Sequence, residues 1–124
     1  MRTATPVLLL CLLTACGSDE SAEQDLKATA YQHMDAINQG DIPRLRQHMS
    51  LRCVAERTDQ ELGEVVDLIH TMYGEITLIN VKVTDMNKDE TRARVKGTTG
   101  IHALDTGPGA WWVYESNSWR ADDC

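Results

Sequence analysis

The period of the apolar residues changes at Gly74, and this change is the strongest constraint on the fold of the chain. From Leu26 to Tyr73, apolar side chains recur every three or four positions, which is typical of amphipathic helices. From Ile76 onward they tend to recur every second position, as on half-buried strands. Helices followed by strands, rather than alternating with them, predict an α+β fold with an antiparallel sheet.

The first predicted helix is long and amphipathic. Ser21 followed by Gln24 is a capping-box pattern, which marks a helix N-terminus, and Gly40 is the residue type that commonly follows a helix C-terminus. The face predicted to be buried carries Leu26, Ala30, Met34 and Ile37, with His33 beside them. These signals predict one helix between Ser21 and Gly40 that buries a single face.

Two more helices are predicted before the strands begin. Asp41 is a suitable N-cap for a short second helix, and Thr58 with Glu61 forms a capping box for a third helix, which ends at Gly74. Their inward-facing residues are predicted to be Leu45 and Met49 in the second helix and Leu62, Val65, Val66, Ile69, Met72 and Tyr73 in the third. Residues 50 to 57 show no clear period, so both a strand and a loop stay open there.

Residues 91 to 101 form the clearest predicted strand. One parity carries Ala93, Val95, Gly97, Thr99 and Ile101, and the other carries Arg92, Arg94 and Lys96. An antiparallel sheet with one buried and one solvated face produces this alternation. In the preceding strand the apolar parity shifts at Ile79 and Asn80, where we expect a β-bulge or a strong bend. A polar turn is predicted over residues 85 to 90, and another over residues 105 to 109.

The last two strands are predicted to form a hairpin around residues 116 and 117. A two-residue turn there pairs Tyr114 with Trp119 and Trp112 with Ala121, which puts these four side chains on one face of the sheet. The aromatic cluster has two interpretations: the wall of a pocket for an apolar ligand, or ordinary sheet core. Both can hold, because only one face of the hairpin points inward.

The chain is acidic, and this bears on its partners. It contains 12 Lys and Arg against 19 Asp and Glu, a formal net charge of −7. Nucleic-acid binding needs clustered basic side chains that replace the counterions of the phosphates, and binding flat against an anionic membrane needs basic clusters as well. The composition therefore predicts neither nucleic-acid binding nor adhesion to an anionic membrane surface.

The N-terminal segment is typical of a secretory signal. Arg2 precedes an apolar run over residues 7 to 13, which is too short to span a hydrocarbon core of about 30 Å. The sequence Leu-Thr-Ala-Cys at residues 13 to 16 resembles the bacterial lipobox, which implies cleavage before Cys16 and attachment of a diacylglycerol to its sulfur. We therefore expect a membrane-anchored lipoprotein on the periplasmic or extracellular side, with a signal peptide over residues 1 to 15, a lipidated tether over 16 to 20 and one domain over 21 to 124.

The cysteine count predicts one disulfide. Cys11 lies in the signal peptide and Cys16 carries the expected lipid, so Cys53 and Cys124 remain. Compartments outside the cytoplasm are oxidising, which favours a Cys53–Cys124 bond over two free thiols. There is no Cys-x-x-Cys spacing, and the four histidines lack the paired spacing of metal ligands. No metal or cofactor is predicted.

The order of elements resembles the nuclear transport factor 2-like superfamily. The local cues are AYQHMDAINQGD at residues 30 to 41 and the closing WRADDC at residues 119 to 124. Many small lipoproteins of actinobacteria resemble this combination of a lipobox, one such domain and a cysteine pair. The resemblance implies a cone in which three helices pack on a curved four-stranded antiparallel sheet and enclose an apolar pocket. It also implies a short hairpin between the second and third helices, which residues 50 to 57 would have to supply.

The resemblance leaves the activity open. Members similar to isomerases, dehydratases or polyketide cyclases carry Asp, His or Tyr in the pocket, whereas others are binding modules. The residues predicted to line the pocket are Tyr31, His33, Met34, Ile69, Tyr73, Trp112, Tyr114 and Trp119. His33 is the best candidate for chemistry, with a histidine at the edge of the core as the other interpretation, and no catalytic residue is assigned. We expect a binding module for a small apolar ligand or an envelope protein, with an isomerase- or cyclase-like enzyme as the alternative.

Overall fold

The computed structural model describes residues 18 to 124, so the predicted signal peptide and Cys16 lie outside the described residues. The elements, in chain order, are α1 (Ser18–Gln39), α2 (Ile42–Gln47), α3 (Leu51–Val54), α4 (Asp59–Tyr73), β1 (Asn80–Met86), β2 (Arg92–Thr98), α5 (His102–Asp105), β3 (Ala110–Glu115) and β4 (Ser118–Ala121). The strands form one antiparallel sheet in the order β1-β2-β3-β4. The predicted α+β fold with four antiparallel strands is confirmed, and the short helices α3 and α5 are additions to it.

The predicted boundary between α1 and α2 is confirmed. Gly40 has a φ of +67°, and its N–H donates to the Ile37 carbonyl at 3.1 Å, while the Asp41 N–H donates to the Ala36 carbonyl at 3.0 Å. This pair of bonds is a Schellman motif, which satisfies the last carbonyls of α1. The Asp41 carboxylate then accepts from the Arg44 N–H at 3.3 Å and caps α2.

The two capping boxes predicted from the sequence have different outcomes. At α4 both bonds are present: the Thr58 N–H donates to Glu61 Oε1 at 2.8 Å, and the Glu61 N–H donates to Thr58 Oγ1 at 3.1 Å. The prediction of a capping box at Ser21 is wrong, because α1 begins at Ser18 and Ser21 lies inside the helix. Residues 18 to 20 of the predicted tether therefore belong to α1.

The segment between α2 and α4 is helical rather than extended. Ser50 caps α3 by accepting from the Cys53 N–H at 3.2 Å, and the hairpin implied by the resemblance is absent from the described residues. On α4 the predicted apolar stripe is only partly buried. Leu62 and Val66 are buried, whereas Val65 and Met72 are exposed, because the stripe is wider than the single face that α4 packs inward.

The first two strands differ from the prediction in where they begin, bend and end. The register shift lies between Val83 and Asp85 rather than at residues 79 and 80. Ile76 precedes β1, and its N–H and carbonyl both bond to the side-chain amide of Asn38, at 2.9 and 2.7 Å. That amide occupies the backbone groups that a longer strand would use, so β1 begins later. The β2 strand is also shorter than predicted, and Ile101 stands at the start of α5 instead.

The β3–β4 hairpin has the predicted register. Tyr114 pairs with Trp119, and Trp112 pairs with Ala121. The turn residues at 116 and 117 have φ values of 54° and 63°, as a type I′ turn requires. This turn geometry matches the twist of the strands and therefore sets the pairing that the sequence predicted.

The core consists of two apolar clusters. One lies between α1 and the inner face of the sheet and contains Leu26, Ala30, Val81, Ala93, Val95, Trp112 and Trp119. The other joins α2, α3 and α4 and contains Leu45, Met49, Cys53, Leu62 and Val66. Residues from both clusters line the cavities of the candidate site.

The C-terminal residues are joined to α3 and its N-terminal flank. A disulfide links Cys53 to Cys124, with their Cα atoms 5.7 Å apart, which confirms the predicted pairing. Just before it, the Ala121 N–H donates to the His48 carbonyl at 2.6 Å, and the Ser50 N–H donates to the Ala121 carbonyl at 2.8 Å. The last strand is thus fixed to the helical layer by both backbone and covalent bonds.

A buried carboxylate reinforces this junction. Asp122 accepts from Ser50 Oγ at 2.6 Å, from Arg52 Nε at 3.1 Å and from Arg92 Nη1 at 3.1 Å. Burial by itself raises the pKa of Asp122, but the hydrogen bonds from Ser50, Arg52 and Arg92 outweigh it and hold the pKa below its usual value. We call Asp122 with these three donors the C-terminal clamp.

Candidate functional site

A cavity of about 400 Å³ lies between α1, the C-terminal half of α4, the inner face of the sheet and the β2–β3 loop. It is lined by Ala30, His33, Met34, Ile37, Ile69, Tyr73, Ile76, Leu78, Val81, Val95, Gly97, Thr99, Leu104, Gly107, Pro108, Gly109, Ala110 and Trp112. Pockets that hold small ligands generally measure about 300–1,000 Å³. The cavity is therefore large enough for a small molecule.

The wall of this cavity is almost entirely apolar. Polar side-chain atoms come from four of its residues, namely His33, Tyr73, Thr99 and Trp112, and none of the lining residues is Asp, Glu, Lys or Arg. An ionised ligand would have no counterion there, and burying an unpaired charge is strongly unfavourable. The cavity consequently suits a neutral apolar molecule with few hydrogen-bonding groups.

His33 is the histidine that lines this cavity, and α1 places it beside the aromatic core. Its ring lies edge-on to Trp112, with ring centroids 5.4 Å apart, and its centroid is 5.7 Å from that of His48. The His33 Nδ1 atom is buried and has no hydrogen-bond partner among the described residues. Burial, and then the neighbouring His48, lowers the pKa of His33 to about 4. The imidazole is therefore neutral near neutral pH.

The β2–β3 loop that closes one side of the cavity is held by polar contacts. The Asp105 carboxylate accepts from the N–H and Oγ1 of Thr99, at 2.9 and 2.8 Å, and from the Gly100 N–H at 2.8 Å. Lys96 Nζ donates to the carbonyls of Asp105 and Gly107, both at 2.6 Å. The hydrogen bond from the Thr99 hydroxyl is the largest of several contacts that lower the pKa of Asp105. The loop is thus a preformed wall.

A second cavity, of about 230 Å³, adjoins the first. His33, Ile37 and Ile69 line both cavities and form the partition between them. The wall of the smaller cavity also includes Cys53 and Cys124, so the disulfide borders it. The second cavity therefore extends from His33 towards α2 and α3, and its wall includes the charged residues Arg57 and Asp123.

The structure brings together five of the eight residues predicted to line a pocket. The five in the larger cavity are His33, Met34, Ile69, Tyr73 and Trp112. Tyr31 lies outside it and is 43% exposed. Tyr114 is 42% exposed and packs edge-on to Trp119 with ring centroids 5.5 Å apart, and Trp119 is buried in the sheet core. The aromatic hairpin is therefore mainly core, with Trp112 as its contribution to the cavity.

Sequence reasoning missed the contribution of the β2–β3 loop to this site. Residues 105 to 109 were predicted as a simple turn, whereas α5 precedes them and Leu104, Gly107 and Pro108 line the cavity. The contacts between Asp105 and Thr99 fold this loop back on the sheet. The Gly-Pro-Gly run was the one local signal, and it indicates a turn without indicating what the turn covers.

No protein-family model matches this chain, and no curated protein matches its sequence significantly. Within residues 18 to 124, no group of three or more His, Cys, Asp and Glu side chains is arranged to hold a metal ion. None of the helices that the structure describes is both long enough and apolar enough to cross a membrane. The geometry of the cavity is therefore the main guide to function.

Proposed function

We propose that this protein is a lipid-anchored binding module on the outer side of a cell membrane. Its ligand is a small, neutral, apolar molecule that occupies the cavity between α1, α4 and the sheet. The observation that carries the proposal is the cavity itself, because it combines a volume of about 400 Å³ with a wall free of ionisable groups other than His33 and Tyr73. An envelope protein partner is the other binding function, and the volume and apolar wall of the cavity favour the small ligand over it.

The expected lipid anchor is the second part of the proposal. Its support is the lipobox-like sequence that ends at Cys16, directly after an apolar run. The Cys53–Cys124 disulfide is consistent with an oxidising compartment outside the cytoplasm. Since α1 begins at Ser18, Gly17 alone separates the lipid-bearing residue from the folded domain, which would keep the cavity close to the membrane.

The proposed family is the nuclear transport factor 2-like superfamily. Its support is an antiparallel sheet of four strands with a long N-terminal helix on its inner face and an apolar cavity between them. The helix α3 stands where that family often has a hairpin. The family is proposed for its fold, and fold alone does not assign an activity.

An isomerase- or cyclase-like enzyme is the second candidate, and one observation favours it. His33 lines the cavity, and its ring centroid lies 5.7 Å from that of His48. A general base is most effective when its pKa is near the working pH, however, and burial lowers the pKa of His33 to about 4. With no carboxylate among the lining residues, the site is better suited to binding than to proton transfer.

Filling the cavity tests the binding function. Ala110 lines the cavity from β3, so Ala110→Leu adds a branched side chain where the ligand would lie. The protein is titrated with the neutral fluorophore phenylnaphthylamine, and binding is followed by energy transfer from tryptophan. We expect Ala110→Leu to weaken binding at least about tenfold, since loss of apolar contact area reduces affinity.

The matched control is Ala28→Leu, the same substitution at an exposed position of α1. It should bind the fluorophore as the unsubstituted protein does. Equal binding by all three proteins would contradict the cavity as the ligand site. Mass spectrometry of organic extracts from the protein purified from a cell envelope then identifies any natural ligand.

Replacing the predicted lipidated residue tests the anchor. Cys16→Ser removes the thiol that would carry the lipid, so incorporation of labelled palmitate should be lost and the protein should leave the membrane fraction. Cys11→Ser, within the predicted signal peptide, is the control. It should still incorporate labelled palmitate and stay in the membrane fraction. Labelling that persists in Cys16→Ser would contradict the anchor without affecting the cavity.

A further inference from the structure

The outward face of the sheet gathers basic side chains, although the chain as a whole is acidic. Lys82 on β1 and Arg92, Arg94 and Lys96 on β2 alternate with residues that face the core. Trp111 on β3 pairs with Arg94 and shares this face. We call these five residues the basic sheet face.

The positive charge of this face is only partly compensated. Arg92 is the one basic residue of the face with a salt bridge among the described residues, and its partner Asp122 is shared with Arg52. Lys82 and Arg94 take part in none of the salt bridges of residues 18 to 124, and the Arg94 Nε atom is buried without a hydrogen-bond partner there. The face therefore keeps a net positive charge.

Lys82 and Lys96 are direct cross-strand partners. Like charges directly opposite each other destabilise a sheet, although Lys96 also holds the β2–β3 loop by donating to the carbonyls of Asp105 and Gly107. Asp85, on β1, faces outward and pairs with Arg94 of β2, but the two side chains form no salt bridge. Carboxylates are plentiful elsewhere: nine of the 19 acidic residues lie on α1 and α4. Asp85 and Glu115 share the outward side of the sheet, but Lys82, Arg92, Arg94, Lys96 and Arg120 outnumber them there.

The two arginines are positioned by Trp111. The guanidinium carbons of Arg92 and Arg94 lie 4.6 and 4.2 Å from the centroid of its ring. Such cation–π contacts hold a guanidinium group without neutralising its charge. The face consequently presents fixed cations around an aromatic side chain, and tryptophan is a residue type enriched at the membrane–water interface.

We infer that the basic sheet face binds the anionic phospholipid headgroups of the membrane that carries the protein. Basic clusters are attracted to anionic headgroups, and at physiological salt charges are screened beyond about 8 Å. The headgroups would therefore interact electrostatically with the charges of the face that touches them, rather than with the net charge of −7 of the whole chain.

The inference rests on the proposed anchor, because the lipid at Cys16 would keep the domain beside the bilayer. Gly17 alone separates Cys16 from α1 in the sequence. One lipid attachment combined with a basic cluster also gives more stable membrane association than the lipid alone. The membrane is thus the anionic surface that this face would meet most often.

Vesicle flotation of the full chain tests the inference. One set of vesicles contains phosphatidylcholine alone, and the other mixes it with anionic phosphatidylglycerol. The apolar N-terminal segment is present in every variant and contacts both lipid mixtures. The difference in binding between the two mixtures therefore measures the charge-dependent part of membrane binding. We expect stronger binding to the anionic vesicles, and this excess should fall as salt is raised.

The decisive variants are Lys82→Glu and its matched control Lys88→Glu. Both positions are exposed, both changes alter the net charge equally, and Lys88 lies in the turn between β1 and β2 rather than on the basic sheet face. Lys82→Glu should lower partition onto the anionic vesicles about tenfold, whereas Lys88→Glu should stay near the unsubstituted protein. Arg94→Gln at the half-buried position of the face, compared with Arg57→Gln at an exposed site outside it, repeats the comparison, and circular dichroism checks that each variant is folded.

Two results would overturn the inference. One is equal binding to the two vesicle types, and the other is an equal effect of Lys82→Glu and Lys88→Glu. A third arm replaces vesicles with soluble polyglutamate: binding that depends on Lys82 there, but not on anionic vesicles, would assign the face to an acidic protein partner instead. None of these results bears on lipidation at Cys16 or on the cavity, which the Cys16→Ser and Ala110→Leu variants test separately.

Discussion

The imidazole rings of His33 and His48 lie 5.7 Å apart, and the Nδ1 atom of each is buried without a hydrogen-bond partner among the described residues. Burial lowers the pKa of both side chains, to about 4 for His33, and the charges of Arg44 and Arg120 lower that of His48 further. Protonation of either ring would place a poorly solvated charge beside the other. The pair is therefore neutral in the native protein and couples its stability to pH.

We expect the free energy of unfolding to fall as the pH falls below 6.5. The unfolded chain binds a proton at His33 with a pKa near 6.5 and the native protein with a pKa of about 4, so acid favours the unfolded state between these values. His33 alone should account for about 2 kcal/mol between roughly pH 7 and pH 5. Asp122, whose pKa is lowered from 3.8, loses its stabilising contribution only as the pH falls below that value, outside this window.

Urea unfolding at the two pH values measures this dependence. His33→Leu should unfold with a clearly smaller difference between them, because one of the two shifted titrations is removed. His102→Leu, at an exposed position in α5, should leave the difference unchanged. Identical pH dependence in the unsubstituted protein and in His33→Leu would contradict the prediction.

Removing the carboxylate of the C-terminal clamp should destabilise the fold. Asp122→Ala leaves the buried Ser50 hydroxyl and the guanidinium groups of Arg52 and Arg92 without their shared acceptor. The loss of buried charge-assisted hydrogen bonds should cost about 3 kcal/mol in the free energy of unfolding. Asp123→Ala removes the exposed neighbouring carboxylate and should change it by less than about 0.5 kcal/mol. Similar urea midpoints for the two variants would count against the clamp.

Reduction of the disulfide should lower stability as well. Cys53 and Cys124 are separated by 71 residues, and closing a loop of this length stabilises the native state by about 4 kcal/mol in the chain-entropy model. Urea unfolding with and without dithiothreitol measures the loss. The double variant Cys53→Ala/Cys124→Ala is the control, since the reductant should not affect it. Peptide mapping without reduction that finds both thiols free to alkylation would refute the bond.

Lys82→Glu should stabilise the fold while weakening membrane binding. It converts the like-charged cross-strand pair with Lys96 into an opposite-charged pair, which should add about 0.5 kcal/mol to the free energy of unfolding. Lys88→Glu, in the neighbouring turn, should have no such effect. A loss of stability in Lys82→Glu would show that the two ammonium groups do not repel each other in the sheet. Opposite changes in stability and binding would indicate that the basic sheet face is maintained for binding.

The sequence correctly predicted the helix ends and the turn that are determined by a few consecutive residues. The capping box at Thr58 and Glu61 and the left-handed glycine at position 40 each act through backbone groups within a few residues. The turn at residues 116 and 117 likewise sets the register of the last hairpin through its own backbone conformation. The start of α1 was missed, because the capping-box pattern at Ser21 lies inside a helix that begins at Ser18. The start of β1 was missed because Asn38, from a distant helix, occupies the backbone of Ile76.

The sequence by itself determined the α+β class, the boundary between α1 and α2, both ends of α4, the hairpin register and the pairing of Cys53 with Cys124. Only the tertiary structure decided which side chains meet: the cavity, the approach of His33 to His48, the donors around Asp122 and the grouping of cations on one sheet face. The physical reason is that caps and turns depend on neighbouring residues, whereas these groupings join residues far apart in the chain. A net charge of −7 sums over all surfaces, whereas the pairing of β1, β2 and β3 brings basic side chains from separate strands onto one face.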